Sequence, residues 1–264
     1  MFTKEQILSQ LNSLQVPCGR PVIIHASMRA VGEIEGGAKT LLDALIERFT
    51  RDDGLLIVPT HTWANFEDKK DIVLDKTALT TCTGALSNVA LNDERAVRSL
   101  NPTHSVAVFG NKKEQFARLD DNVNTPCSPF GCYGKIIDSD GYVLLMGVGQ
   151  EKNTLLHAVE EILDIPCRLS SLPVKMAIRE LDGTVTYRDF HFMTEEKGDV
   201  SLNFPKYERA FRYHGAITDG KVGNALVQVC SASKMADVMK LVCLRSGKKE
   251  LLSDNEPLDI SLYE

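Results

Sequence analysis

The chain has 264 residues, 43% of them hydrophobic and 25% charged, with a net charge of −6; this is ordinary globular usage, in a length that buries a large core without staples. No apolar run reaches the roughly 18 residues of a membrane-crossing helix, and the mixed charges leave no dense Lys/Arg face for nucleic acid. Seven cysteines without framework spacing point to free thiols in a reducing compartment, and MFTKEQILSQLNSL reads as an amphipathic helix with charges too early for a signal peptide, so a cytoplasmic location is expected.

Ile7, Leu8, Leu11 and Leu14 lie at helical spacing and predict a helix over residues 3–15. Pro21–His25 is a short β-branched run, hence a buried strand. Gly36-Gly37 opens a helix, Ala38–Phe49, and Asp53-Gly54 turns into a second strand, Leu55–Pro59. This strand–helix–strand rhythm indicates an α/β sheet. It continues with helix Ala85–Asn92, strand Ser105–Phe109, helix Lys112–Leu119, strand Tyr142–Gly147 and helix Thr154–Leu163. Val174–Leu181 and Thr184–Phe192, separated by Asp182-Gly183, predict a hairpin. Helix Tyr207–Tyr213 follows, Gly223–Cys230 is ambiguous, and Lys234–Leu244 reads as a closing helix. The expected fold is a three-layer α/β/α sandwich around a mixed, largely parallel central sheet, with antiparallel additions near the C-terminus. Residues 1–264 read as one domain, with 173–264 completing the sheet.

In open α/β sheets ligands collect at the carboxyl ends of strands. Three loops qualify: His25–Gly37, Thr60–Phe66 and Gly147–Thr154. The first brings a hydroxyl, an arginine and glycines ahead of a helix start, which suits phosphate as well as it suits a plain connection. Gly36-Gly-Ala-Lys-Thr40 lacks both glycines a phosphate-cradling P-loop requires. The third loop leads into a helix with Asn153 or Thr154 as expected N-cap. His157 and Glu160, at i and i+3, share one face of it. A carboxylate beside an imidazole makes a good general base; the same spacing also occurs around ordinary half-buried histidines. No second histidine completes a zinc-protease motif, no GxSxG elbow or GxGxxG fingerprint is present, and Cys127 and Cys132 lack a second ligand pair for zinc. No metal is expected.

Five stretches in order resemble the aminoglycoside 3-N-acetyltransferase family: His25–Gly32 with Gly36-Gly37; Val58-Pro-Thr-His-Thr62; Arg98–Ser105; Ser128-Pro129; and Leu144–Gly149 through Asn153–Glu160. Gly220–Ala225 is a weaker sixth. The acetyl-CoA pyrophosphate loop of the GNAT superfamily is absent. The resemblance implies direct acetyl transfer from acetyl-CoA to an amine of a cationic, aminoglycoside-like acceptor. It implies His157 as catalytic base and Glu160 as its carboxylate partner. Ser27, Met28, Arg29, Val31 and Gly32 match the contacts to the CoA phosphates and pantetheine, and Ser105 and Val106 lie where the pantetheine arm is held. Thr154 is a candidate for oxyanion or substrate contact. Compared with the family, the bridge before Gly84 is short and Asn101 stands where histidine is common, so the acceptor side is expected to differ. The expected partners are the amine acceptor, acetyl-CoA and, as an assembly, a second copy of the chain. Two rivals remain open: a non-catalytic CoA- or amine-binding protein, and a thiol-dependent amidase using Cys127 or Cys82.

Overall fold

The computed structural model describes residues 1–247, 251–254 and 256–264. In chain order it contains α1 (Lys4–Ser13), β1 (Pro21–Ala26), α2 (Met28–Val31), α3 (Gly37–Phe49), β2 (Leu55–Pro59), α4 (Trp63–Glu67), β3 (Leu74–Asp75), α5 (Ala85–Leu91), β4 (Val97–Arg98) and β5 (Val106–Phe109). Then come α6 (Lys113–Ala117), α7 (Cys132–Asp138), β6 (Tyr142–Met146), α8 (Leu155–Ile162), β7 (Val174–Arg179), β8 (Val185–Phe190), α9 (Glu208–Tyr213), β9 (Ile217–Val222), β10 (Ala225–Ser231) and α10 (Ala232–Ser246). A 3₁₀ segment, Val200–Tyr207, leads into α9.

Seven strands form one sheet in the order β4-β5-β2-β1-β6-β10-β9. The central strand β1 pairs in parallel with β2 and β6. The C-terminal β9 and β10 add on antiparallel beside β6, as expected. On the opposite flank β5 also runs antiparallel, to both β2 and β4. Both faces of the centre are covered, which explains the continuous apolar runs. Val22, Ile24, Leu56, Val58, Leu144 and Met146 pack with residues of α1, α3 and α5. Ile23, Ile57, Val143 and Leu145 pack on the other side with residues of α6 to α10. The result is the expected α/β/α sandwich.

Several local outcomes differ from the sequence reading. The Asp182-Gly183 hairpin forms, but it builds a separate three-stranded sheet with β3 rather than extending the central one. Leu74 pairs with Ile178 there, over a small core of Val73, Met176 and Phe190. The ambiguous Gly223–Cys230 stretch is the turn and strand β10. The loop after β1 contains a helical turn, α2, capped by Ser27, whose side chain accepts from the Ala30 N–H at 3.3 Å. Thr154 occupies the N-cap position of α8 but makes no side-chain cap bond. Asn153 turns inward instead, donating to Gln150 Oε1 at 2.8 Å.

Candidate active site

Because β1, β2 and β6 are parallel, their three following loops emerge on one edge of the sheet. The antiparallel strands bring their starts to the same edge: Val106 pairs with Pro59, and Val227 pairs with Met146. The stretches 25–37, 60–66, 105–106, 147–154 and 220–225 therefore converge.

The α2 turn is knitted into this edge. The Ser27 N–H donates to the Met146 carbonyl at 2.9 Å, and the Asn224 N–H donates to the Val31 carbonyl at 2.9 Å. Glycines allow the approach: a Cβ on Gly32 would lie 2.6 Å from Asn224 Nδ2. The α2 turn presents Arg29 as an exposed cation, without a carboxylate partner among the described residues. Met28 is half-buried and Val31 fully buried. The predicted Ser27–Gly32 group is thus one physical unit, and only Arg29 in it offers charge to an anion.

Ser105 and Val106 reach the same edge, but both are fully buried. The Ser105 hydroxyl donates to the Thr60 carbonyl at 2.8 Å and accepts from Arg98 Nε at 3.0 Å. Burial pushes the Arg98 guanidinium down to about 10. Ser105 therefore braces the Thr60 loop with a hydroxyl that is already committed.

Across the edge, α8 carries the predicted pair. His157 Nδ1 lies 2.9 Å from Glu160 Oε2. The Glu160 side chain is 2% exposed and that of His157 14%. A carboxylate only accepts, so Nδ1 carries the hydrogen and Nε2 of the neutral ring holds the lone pair. Glu160 Oε1 accepts from Arg168 Nε at 2.5 Å, a partner that sequence spacing did not suggest. The His157 ring meets Phe204 edge-on, with centroids 4.8 Å apart. Thr154 precedes His157 by three residues, and its hydroxyl has no protein partner among the described residues. Glu161, on the same helix, accepts from the Thr125 hydroxyl at 2.6 Å and the Cys127 N–H at 2.9 Å.

The family model for aminoglycoside 3-N-acetyltransferase matches residues 23–243. The chain belongs to that family. Aminoglycoside N(3)-acetyltransferase IV of Salmonella is 29% identical over 256 residues, covering 97% of this chain and 92% of that protein. The crystal structure of the AAC(3)-IVa apoenzyme is 25% identical with a TM-score of 0.74, covering 90% of this chain and 86% of that one. The binary complex of AAC-IIIb with CoASH superposes with a TM-score of 0.74 at 20% identity, over 89% and 94% of the two chains, and supports the fold. Members of the family are acyltransferases whose co-substrate is acetyl-CoA.

The candidate site is flanked by groups that sequence reading quoted within motifs but did not assign. His61 Nε2 lies 2.8 Å from the Tyr133 hydroxyl, and its ring centroid is 4.5 Å from that of His104. His104 Nδ1 lies 2.9 Å from the Thr103 hydroxyl. His25 Nε2 is buried without a partner. Burial holds His25 down to about 4 and His104 down to about 3; burial and then repulsion from His104 hold His61 well below its ordinary range. An unfolded histidine takes a proton near 6.5 whereas these do so only far lower. Their neutral burial therefore stabilises the fold fully above that value and is lost as pH falls toward the folded values. The loss is on the order of 1 kcal/mol per histidine per pH unit. Thermal melts should consequently fall steeply between pH 6.5 and 5, and His104→Gln should flatten the slope. Parallel slopes for the two proteins would show that His104 is not held neutral.

Asn101, which stands where the family often has histidine, is buried and fully engaged. Its amide donates to the Pro126 carbonyl at 2.9 Å, and its oxygen accepts from the His104 N–H at 2.9 Å. It ties the loop at residues 101–104 to the segment at residues 125–126. Neither Cys127 nor Cys82, the latter exposed, is set up as a nucleophile. Cys127 is fully buried and held well above its ordinary range by burial and by Glu161. Burial also raises Cys82, which donates to the His61 carbonyl at 3.2 Å rather than pairing with an imidazole. Neither thiol has the electropositive surroundings that make a nucleophile.

Proposed function

We propose that this protein transfers acetyl from acetyl-CoA to an amine of a polycationic, aminoglycoside-like acceptor by direct attack, with His157 as general base. The observation that carries the reading is the buried His157–Glu160 pair on α8, on the same edge as the exposed Arg29 of α2. An ammonium cannot attack a thioester, so a proton must leave the amine as the N–C bond forms. His157 Nε2 takes that proton. The tetrahedral intermediate then collapses, the C–S bond breaks, and the proton passes to the departing CoA sulfur. Thr154, with its uncommitted hydroxyl one turn before His157, is placed in the oxyanion-stabilising role. Arg29 pairs with CoA phosphate, while Ser27, Met28, Val31 and Gly32 shape its bed and Ser105 and Val106 support the pantetheine side from beneath. Acetyl-CoA being an intracellular metabolite, the enzyme works in the cytoplasm.

The acceptor side is acidic. Glu195 and Glu196 are exposed, and repulsion from Glu195 and Asp68, after burial, raises Glu67. Carboxylates of two separate segments, 67–68 and 195–196, therefore lie close enough to repel, with Lys70 3.9 Å from Asp68 as a partial counter-charge. Asp199 is engaged as a cap, accepting from the Ser201 N–H at 3.1 Å. The Asp199-capped 3₁₀ segment carries Phe204, the ring packed on His157, so the acidic stretch leads directly to the base.

The test is CoA thiol release from acetyl-CoA across a panel of aminoglycosides and simpler amines, with two variants that divide the site. Arg29→Glu should weaken acetyl-CoA binding by calorimetry and leave the acceptor KM near wild type. Paired Glu195→Gln and Glu196→Gln should do the converse. Loss of one charged contact is worth about 1–3 kcal/mol, or roughly 5- to 150-fold. Unchanged CoA affinity in the first variant removes Arg29 from the phosphate site.

A further inference from the structure

We infer that Arg168 is a positioning residue that sets the proton affinity of the His157–Glu160 pair. The inference rests on the proposed role of His157 but concerns a property that is measurable without turnover. Glu160 is gripped at both oxygens: Oε2 by His157 Nδ1 at 2.9 Å and Oε1 by Arg168 Nε at 2.5 Å. The side chains of Glu160 and Arg168 are 2% and 6% exposed, so water screens this contact little. Arg168 is not on α8. It lies in the segment after the helix, which is zipped to the stretch that follows β8 and leads into the acidic residues. There the Thr194 N–H donates to the Arg168 carbonyl at 3.0 Å, the Ser170 N–H donates to the Phe192 carbonyl at 2.9 Å, and Leu169 bridges Met193. The guanidinium is thus delivered to Glu160 by a second, independently anchored segment.

The charges around the pair define what this does. On α8 itself, Glu161 is tied to the Thr125 hydroxyl and the Cys127 N–H. From the Thr60 and Asn101 loops come the neutral His61 and His104, and the 3₁₀ segment contributes the apolar Phe204. Arg168 is the cation bonded to Glu160. A buried carboxylate without it would bind the imidazolium proton more tightly, and the base would remain charged to higher pH. Arg168 offsets that attraction while fixing the carboxylate's rotation, so that Nε2 stays aimed and neutral.

The test compares wild type with Arg168→Met and Arg168→Lys, reading the NMR titration of the His157 imidazole and the pH profile of kcat/KM. Arg168→Met should move the imidazole midpoint up by about one pH unit, with kcat/KM recovering above the new midpoint. Arg168→Lys, which keeps the charge, should restore the wild-type midpoint, and Arg168→Gln, which keeps a donor without the charge, replaces the methionine variant if that one fails to fold. Placed in a Glu160→Gln background, Arg168→Met should shift the midpoint much less, because its effect passes through the carboxylate. An unchanged midpoint with activity lowered equally at every pH overturns the inference and leaves Arg168 a purely structural tie. An equal shift in the Glu160→Gln background overturns the route through Glu160. Should His157→Ala retain turnover, the base assignment fails, yet the NMR shift still reports whether Arg168 tunes the pair.

Discussion

His157→Ala should lose about 10²–10⁴ in kcat, the usual contribution of a positioned general base, while its affinity for CoA stays near wild type. The separation follows from geometry. The imidazole lies on α8, tied through Nδ1 to Glu160, whereas the exposed cation that suits phosphate lies on α2. Glu160→Gln should cost less in kcat, because the base itself remains, although the single amide oxygen can accept from only one of the two donors that Glu160 holds, His157 Nδ1 and Arg168 Nε. Calorimetry with CoA, followed by single-turnover acetyl transfer on the purified folded variant, distinguishes this from a structural role. A structural histidine, packed on Phe204 as this one is, would lower the melting temperature and leave turnover per folded molecule intact. Near wild-type kcat in folded His157→Ala would falsify the assignment.

The parts of this site that sequence made legible are those built on local periodicity. His157 and Glu160 are one helical turn apart, so their contact follows from the helix alone. The convergence of three loops follows from reading β1, β2 and β6 as buried strands joined by helices. What sequence hid depends on contacts between distant segments. Arg168 reaches Glu160 only because residues 168–170 pair with 192–194. His25, near the end of β1, comes near His61 and His104, which lie in two loops on the same edge, and no spacing rule links the three. Helix α7 went unread because Gly131 and Gly134 look like breakers. Gly134 is needed there, since a Cβ would lie 1.9 Å from the Pro129 carbonyl oxygen. The hairpin was legible but its partner was not: β3 is two residues long, too short for any alternation to show. Burial was the other hidden quantity. Ser105 and Val106 fall at the expected edge, yet both are fully buried, which no spacing in the sequence shows.

Gly147→Ala should destabilise the protein and raise the KM for acetyl-CoA more than it lowers kcat. Gly147 sits at the end of β6 with φ +68°, where an L side chain is strained, and its added Cβ would lie 2.3 Å from the Ala30 Cβ and 3.2 Å from the Ala225 Cβ. The left-handed conformation costs about 1–2 kcal/mol and the overpacking about 1–3 kcal/mol more. Neither neighbour can withdraw freely. Ala30 belongs to α2, whose two ends are held by the bonds from Ser27 to Met146 and from Asn224 to Val31, and Ala225 begins a sheet strand. Relief must therefore come from tilting α2, which carries Arg29 beside Ala30, and so the damage should appear first in cofactor binding. Ala30→Gly supplies the control. Alone it should cost about 1 kcal/mol, as glycine does in a helix. Combined with Gly147→Ala it should return the overpacking share of the stability and most of the KM, leaving the backbone strain behind. A double-mutant cycle measured by denaturant unfolding and by acetyl-CoA KM reads this coupling directly. Strict additivity in both readouts would mean that α2 does not bear on Gly147, and that the bed of the CoA site is held by other contacts.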